Sequence, residues 1–233
     1  MNKPLIPCLL IAAGFAFGCI SIGHVLPEPT EWKGLGGIND TGWVQHGGKA
    51  AFEFRRDGEI VGQSRPNQPN SFLCTLEEYS NFELEYDFRV NRHLNSGVQI
   101  RSHVRDSGIV YGYQVEIDPS DRAFTGGIYE EGGRGWLSDL KNNPDARAAF
   151  KQNDWNHVRV IAYGDHIQTW LNGVLAADLH DTVSQSGFIG LQVHGVGDQT
   201  EQLEVRWKNL RIRNLPLEEP PTPQIRNPTF GMP

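Results

Sequence analysis

The sequence predicts an all-β sandwich, on three observations. Several segments alternate apolar and polar residues with period two, as a half-buried strand does. They are separated by tight-turn signals, Asp57-Gly58 and Asn172-Gly173 above all. The composition, with 26 Gly and 6 Trp in 233 residues, suits many turns between aromatic-rich sheets. About 190 to 200 residues remain after an N-terminal targeting segment, enough for one sandwich with a sizeable core, since such folds run to roughly 200–250 residues.

The elements follow in order. Short alternations between Trp43 and Val61 are broken by Gly47-Gly48 and Asp57-Gly58, the latter a hairpin signal. Phe82–Val90 alternates strictly, one side aromatic and the other charged, so it should face core and water. Asn95–His103 and Tyr111–Asp118 are two further strands. Residues 121–153 hold Gly126-Gly127, Gly132-Gly133, Gly135 and Pro144 and form the least regular stretch, of the kind that is functional or disordered. Asp145–Phe150 fits a short helix. Regular alternation returns at Asp154–Val160, at His166–Leu171 with its hairpin partner Val174–Leu179, at Gly187–Gly195 and at Leu203–Arg213. Trp32, Trp43, Trp155 and Trp207 are assigned to the core, and Trp170 to hairpin packing.

Both ends differ from this body. Lys3, an apolar run from Leu5 to Ile11 and small residues up to Gly18-Cys19 read as an export signal over residues 1–19. The apolar stretch is short and carries Pro4 and Pro7, which argues against a membrane span. Gly18-Cys19 resembles the end of a lipoprotein signal, so a lipid anchor at Cys19 and a place in the periplasm or cell envelope are expectations. Residues 20–31 read as a linker, 32–215 as the domain, and 216–233 as a Pro-rich flexible tail. With Cys8 inside the signal and Cys19 near the new terminus, Cys74 stands alone in an apolar run, a buried inert thiol and no disulfide. A net charge of −7, without a Lys/Arg run, phosphate loop or dinucleotide fingerprint, argues against nucleic acid as a partner.

The polar faces of two strands stand out. Gln99, Arg101 and His103 line one and Gln114, Glu116 and Asp118 the next. A guanidinium, an imidazole and two carboxylates converging on one surface suit a polyhydroxylated or anionic ligand, because each offers directional hydrogen bonds. The plainer reading is a mutually paired, solvated sheet face. Gln192 and His194 share a face on a later strand.

Six segments in order, Asn95-Ser-Gly-Val-Gln-Ile-Arg101, Tyr113-Gln-Val-Glu-Ile-Asp118, Asp154-Trp-Asn156, Trp170-Leu-Asn-Gly173, Gly187–Gly195 and Trp207-Lys-Asn-Leu-Arg-Ile212, resemble the 3-keto-disaccharide hydrolase domain family over about residues 32 to 214. The resemblance implies a concanavalin-like jelly roll of two antiparallel sheets with a carbohydrate site on a concave face. It also implies a bacterial, exported protein that cleaves glycosides already oxidised at C3, by hydrolysis or by elimination followed by hydration. A non-catalytic, lectin-like binding module of the same fold is the alternative. A laminarinase-type glucanase is disfavoured, because Gln114 stands where such enzymes carry the first carboxylate of Glu-x-Asp-x-Glu.

A 3-keto group acidifies the C2 proton, so a modest base can start the cleavage, given a hydrogen-bonding or positive group near O3. Glu116 or Asp118 is the expected base and His194 the acid or an alternative base. Arg101 and Gln192 are expected at the oxyanion, unless Arg101 pairs with Glu116 and merely orients it. Gln99, His103, Gln114 and Gln192 are expected substrate contacts. Tyr129 and Trp136 could stack on a sugar ring or anchor a loop. Glu116, Asp118, His103 and His194 also carry suitable atoms for a divalent cation, although no compact ligand motif supports one.

Overall fold

The structure, a computed structural model, describes residues 31–35 and 41–216. The export signal with Cys19, most of the linker and nearly all of the expected tail lie outside these residues. The strands are β1 (Lys33–Gly34), β2 (Trp43–Gly47), β3 (Ala51–Phe54), β4 (Ile60–Gln63), β5 (Ser71–Tyr79), β6 (Phe82–Val90), β7 (Ser96–Val104) and β8 (Val110–Ile117). After them come β9 (Ile128–Glu131), β10 (Gly135–Ser138), the helix α1 (Pro144–Ala149), β11 (Asn156–Tyr163), β12 (His166–Leu171), β13 (Val174–His180), β14 (Gly187–Val193) and β15 (Glu204–Asn214). No described helix is long and apolar enough to cross a membrane.

The strands form two antiparallel sheets, a jelly-roll sandwich. The first sheet runs β13-β12-β11-β6-β15-β4-β3, with β1 on β15, and the second β10-β9-β8-β7-β14-β5-β2. The alternation dictates which face each strand buries. Leu84, Tyr86 and Phe88 of β6, Val98 and Ile100 of β7, Tyr113 and Val115 of β8, Ile189 and Leu191 of β14, and Trp207 of β15 meet in one core. Each large apolar side chain buried there contributes about 1.5–3 kcal/mol. The other side of β6 is the charged face its sequence promises. Glu83 pairs with Arg159 and Arg213, Glu85 with Arg211 and Asp87 with His157. Cys74 is buried, and burial pushes its thiol well above the usual range.

Two tryptophans depart from expectation. Trp207 is fully buried and Trp43 packs against the core, but Trp32 lies under the guanidinium groups of Arg211 and Arg213 and Trp155 under Arg89 and Lys208. Both cover the charged outer face, where cations stack on indole. The stretch 121–153 is more regular than its glycines suggest. It contains the β9–β10 hairpin and α1, whose N-cap Asn143 accepts from the amide of Ala146. Asn172-Gly173 closes the β12–β13 hairpin with both φ positive, at 49° and 86°, as its turn type needs.

The second sheet is strongly concave on the face away from the core. Val110 of β8 and Phe72 of β5 are separated by β7 and β14, yet they pack together with Cys74 and Phe188. On a flat sheet their strands would stand about 14 Å apart. Asn70, beside β5, likewise hydrogen-bonds Glu131 of β9 at 3.2 Å across the same face. The apolar cluster fills one part of the hollow and leaves the polar part open.

Candidate functional site

Register sets the floor of the hollow. On the concave face, Gly190, Gln99, Gln114, Tyr129 and Trp136 stand opposite one another in turn across β14, β7, β8, β9 and β10. A parallel row carries His46, Phe72, Gln192, Gly97 and Glu116 across β2, β5, β14, β7 and β8. A cavity of about 690 Å³ opens over these rows and is lined by Glu116, Gln114, Gln192, His194, Tyr129 and Trp136, together with Asn70, Asn95, Arg122 and Glu131. Gly97 leaves the floor low between Gln192 and Glu116, where a Cβ would collide with the side chain of Gln114.

A chain of neutral amides holds Glu116. Asn95 Nδ2 donates to its Oε1 at 2.7 Å and Gln114 Nε2 to its Oε2 at 2.8 Å. Gln114 Oε1 in turn accepts from Gln99 Nε2 at 2.6 Å, and Gln99 Oε1 accepts from Ser102 Oγ at 2.8 Å. The nearest cation, Arg122, stands 4.0 Å away. Burial pushes the Glu116 carboxyl above its ordinary range, and the two amide donors offset only part of that. Glu131 is held alike, accepting from Asn70 Nδ2 and, at 3.5 Å, from Gln192 Nε2. Burial raises it too, against Asn70 and the nearby His194. Two carboxyls raised by burial and held by amides in one hollow are suited to serve as an acid and a base. Glu130, its neighbour, is the contrast: bonds from Arg134 hold it below the usual range, and Arg134 also grips Asp181.

The remaining groups set the walls. Tyr129 and Trp136 meet edge to face at 5.4 Å, and the Arg122 guanidinium lies 5.2 Å over the Trp136 ring. Gln192 is fully buried, and its Oε1 has no hydrogen-bond partner among the described residues, so it offers an acceptor to a ligand hydroxyl. His194 sits at the exposed rim, with Nδ1 2.8 Å from the Gly195 carbonyl. A carbonyl only accepts, so Nδ1 carries a proton and Nε2 is free for a ligand.

Four expected site residues lie elsewhere or serve differently. Arg101 is fully buried away from the pocket, where Nε donates to the Ser80 carbonyl at 2.7 Å, Nη1 to the Gly164 carbonyl at 2.7 Å and Nη2 to Asn81 Oδ1. The cause is a bulge. The β7–β8 register shifts between Ile100 and His103, Arg101 takes φ of 46°, and Ser102 faces Gln99 in its place. The same shift takes His103 out of the hollow, to Ser184 Oγ at 3.1 Å and the Tyr111 ring. Asp118 follows the end of β8 and braces a turn, accepting from Ser120 N and Oγ, Phe124 N and Arg122 Nε. Burial alone would raise it, but the bonds from Ser120, Arg122 and Phe124 win and leave it below the usual range. Gln99 lies under the pocket and reaches it only through Gln114.

The four donors expected for a cation are therefore not gathered. Among the described residues, His166, Asp178 and His180, on the β12–β13 edge of the other sheet, are the ones brought together with suitable spacing. Sequence reasoning missed Glu131, Asn70, Asn95 and Arg122 as site residues. Asn95 opens the Asn-Ser-Gly motif and Glu131 sits among the glycines of the irregular stretch, so both carried a signal. Asn70 carried none, because its place depends on the curl of the sheet.

Comparison with known proteins gives the family and the fold. The 3-keto-alpha-glucoside-1,2-lyase-like domain family matches residues 31–213. Levanase of Bacillus subtilis is 24% identical over 155 residues, which are 66% of this chain and 21% of levanase, so the chain spans about a fifth of that relative. Among solved structures, carbohydrate binding module CBM66 of Bacillus subtilis has a TM-score of 0.52 at 21% identity, covering 73% of this chain and 94% of the module. A Bacillus licheniformis beta-glucanase has a TM-score of 0.54 at 12% identity, covering 80% of this chain and 98% of the glucanase. At these identities the structural likeness speaks for the fold alone, the concanavalin-like jelly roll.

Proposed function

The chain belongs to the 3-keto-alpha-glucoside-1,2-lyase-like domain family, and from that membership we propose that it cleaves 3-keto-glycosides in the hollow of its second sheet. More coarsely, it is a jelly-roll domain of the glycosyl hydrolase-like or carbohydrate-binding kind. One observation carries the finer reading. Glu116 and Glu131 line one pocket, both raised by burial, and both held by amides rather than by close ion pairs.

In this proposal a sugar ring packs against Trp136 and Tyr129 while Gln192 Oε1 accepts one of its hydroxyls. Glu116 removes the proton on C2, and the electron pair left behind forms an enolate with its charge on O3, stabilised by Arg122 and Asn95. The enolate collapses: the C3 carbonyl re-forms, a C1–C2 double bond appears and the C1–O bond breaks. The leaving oxygen takes a proton from Glu131, with His194 at the rim as a second donor. Hydration then returns a hydroxyl to C1 and a proton to C2, with Glu131 as base and Glu116 as acid. The basic start, apolar run and Gly18-Cys19 support an exported, envelope-facing protein.

The test is incubation with a 3-keto-glucoside and the matching unoxidised glucoside. Cleavage of the keto sugar alone is expected. Glu116→Gln should lower kcat/KM by about 10²–10⁴, the usual worth of a general base. Cleavage of neither, with sugar binding retained, would replace the enzyme with a carbohydrate-binding module.

A further inference from the structure

We infer that the cavity beside the sugar pocket is an aglycone subsite that takes a neutral, apolar, ring-bearing leaving group. This rests on the 3-keto-glycoside reading and adds the substrate class to it. The cavity has about 660 Å³, and Asn70 and Glu131 line both it and the sugar pocket. The floor is continuous as well. The row His46, Phe72, Gln192, Gly97, Glu116 runs across five adjacent strands, with Glu116 and Gln192 under the sugar pocket and Phe72 and His46 under the second cavity. Glu131 stands at the junction, one oxygen bonded to Asn70 and the other to Gln192. A glycoside whose ring lies against Trp136 and Tyr129 and whose C1 substituent points along the row passes its leaving oxygen by Glu131, the group that protonates it.

The lining decides what that substituent is. Ile109 and Pro69 present apolar surface over the buried Phe72 and Val110, and no Lys or Arg lines the cavity. Phe72 and Val110 already pack with Cys74 and Phe188, so this floor is built before a ligand arrives. Ile109, in the β7–β8 turn, is 51% exposed and stands at the mouth of this cavity, where a ligand can cover it. Five polar side chains stand at the cavity, but Gln45, Asn70 and Glu131 already hold partners. Gln45 Nε2 donates to the carbonyls of Gly48 and Ala50, the Asn70 amide bonds Glu131 and Gly195 N, and Glu131 accepts from Asn70 and Gln192, which leaves His46 and Ser107. A second sugar would leave most of its hydroxyls without partners there, whereas an aromatic ring would cover Ile109 and Pro69.

The experiment compares phenyl and methyl 3-keto-glucosides of one anomer, on the full chain and on Ile109→Asp. Phenoxide is the better leaving group whatever the enzyme does, so the readout is the change in the phenyl-to-methyl ratio of kcat/KM between the two proteins. That ratio should fall about ten-fold in Ile109→Asp, from lost apolar contact, and recover in Ile109→Leu. Val183→Asp, at a still more exposed apolar position outside both cavities, should leave the ratio unchanged. An unaltered ratio in Ile109→Asp overturns the subsite while the activity stands. If neither glycoside is cleaved, the activity falls and calorimetry reads the same ratio from Kd. Tighter phenyl binding that Ile109→Asp abolishes keeps the subsite, and equal or absent binding overturns it.

Discussion

Glu116 shows how burial among amide donors raises a carboxyl. Its two amide donors favour the charged form, and burial disfavours it by more. Removing a donor should therefore move the carboxyl further up. Gln114→Leu loses the 2.8 Å bond, so the acid limb of the pH profile of kcat/KM, where Glu116 must be deprotonated to act as base, should shift to higher pH. A limb that stays in place or moves down would take Glu116 out of the base role. Asp118 would behave oppositely, since its bonds to Ser120, Arg122 and Phe124 outweigh burial and keep it charged in acid. The two carboxyls stand two residues apart, one in a strand and the other just past its end. At this scale the types of residue at the site were legible in the sequence. The choice between Glu116 and Asp118 was not, because it rests on which donors surround each.

The strands act as a ruler, and two predictions belong to them. Gly97 is the step between Gln192 and Glu116, and a Cβ there would lie within 3.0 Å of the Gln114 side chain. Gly97→Ala should fold, since the obstacle is a side chain rather than backbone. It should displace Gln114 and reduce both sugar affinity and kcat/KM, as calorimetry and kinetics would show. The β9–β10 hairpin that carries Tyr129 and Trp136 is tied by Arg134 to Glu130 and Asp181, and Tyr113 donates to Asp181 as well. These bonds lower the Asp181 carboxyl from 3.8 to about 2. A lowered folded value stabilises above the unfolded value and is lost as pH falls through the folded one. Asp181→Asn should thus be less stable than wild type at pH 6, and the gap should close between pH 3.8 and about 2, as denaturant titrations at both ends would show. A gap that persists below that window would mean that the ion pair is not its source. The hairpin itself was hidden in the sequence, because its glycines obscure a short alternation.

Over the whole molecule, Arg101 ties the second sheet to a turn of the first and to the turn that joins the two sheets. It bridges the bulge of β7 to Ser80 and Asn81, between β5 and β6, and to Gly164, between β11 and β12. Burial lowers its pKa, yet three oxygen acceptors hold its charge. Arg101→Met leaves the Ser80 and Gly164 carbonyls without their donor and should destabilise the fold by about 2–6 kcal/mol, at about 1–3 kcal/mol for each unsatisfied buried group. The loss should show as a lower denaturation midpoint. Affinity for the sugar, measured below that midpoint, should be unaffected, since Arg101 lies outside the pocket. A folded variant of wild-type stability that has lost sugar binding would return Arg101 to the site.

By itself the sequence determined the sandwich and the faces of its strands, because period-two alternation and turn residues are local properties of a chain. It also pointed to Glu116, Gln114, Gln192 and His194 on those faces, and to Tyr129 and Trp136 as aromatic candidates between the glycines. Only the tertiary structure decided which of these groups line one pocket. One bulge at Arg101 turned a guanidinium from the hollow into a brace, and the curl of the sheet brought Asn70 and Glu131 across it. Both are cooperative results of packing over several strands, and no stretch of this chain encodes them locally.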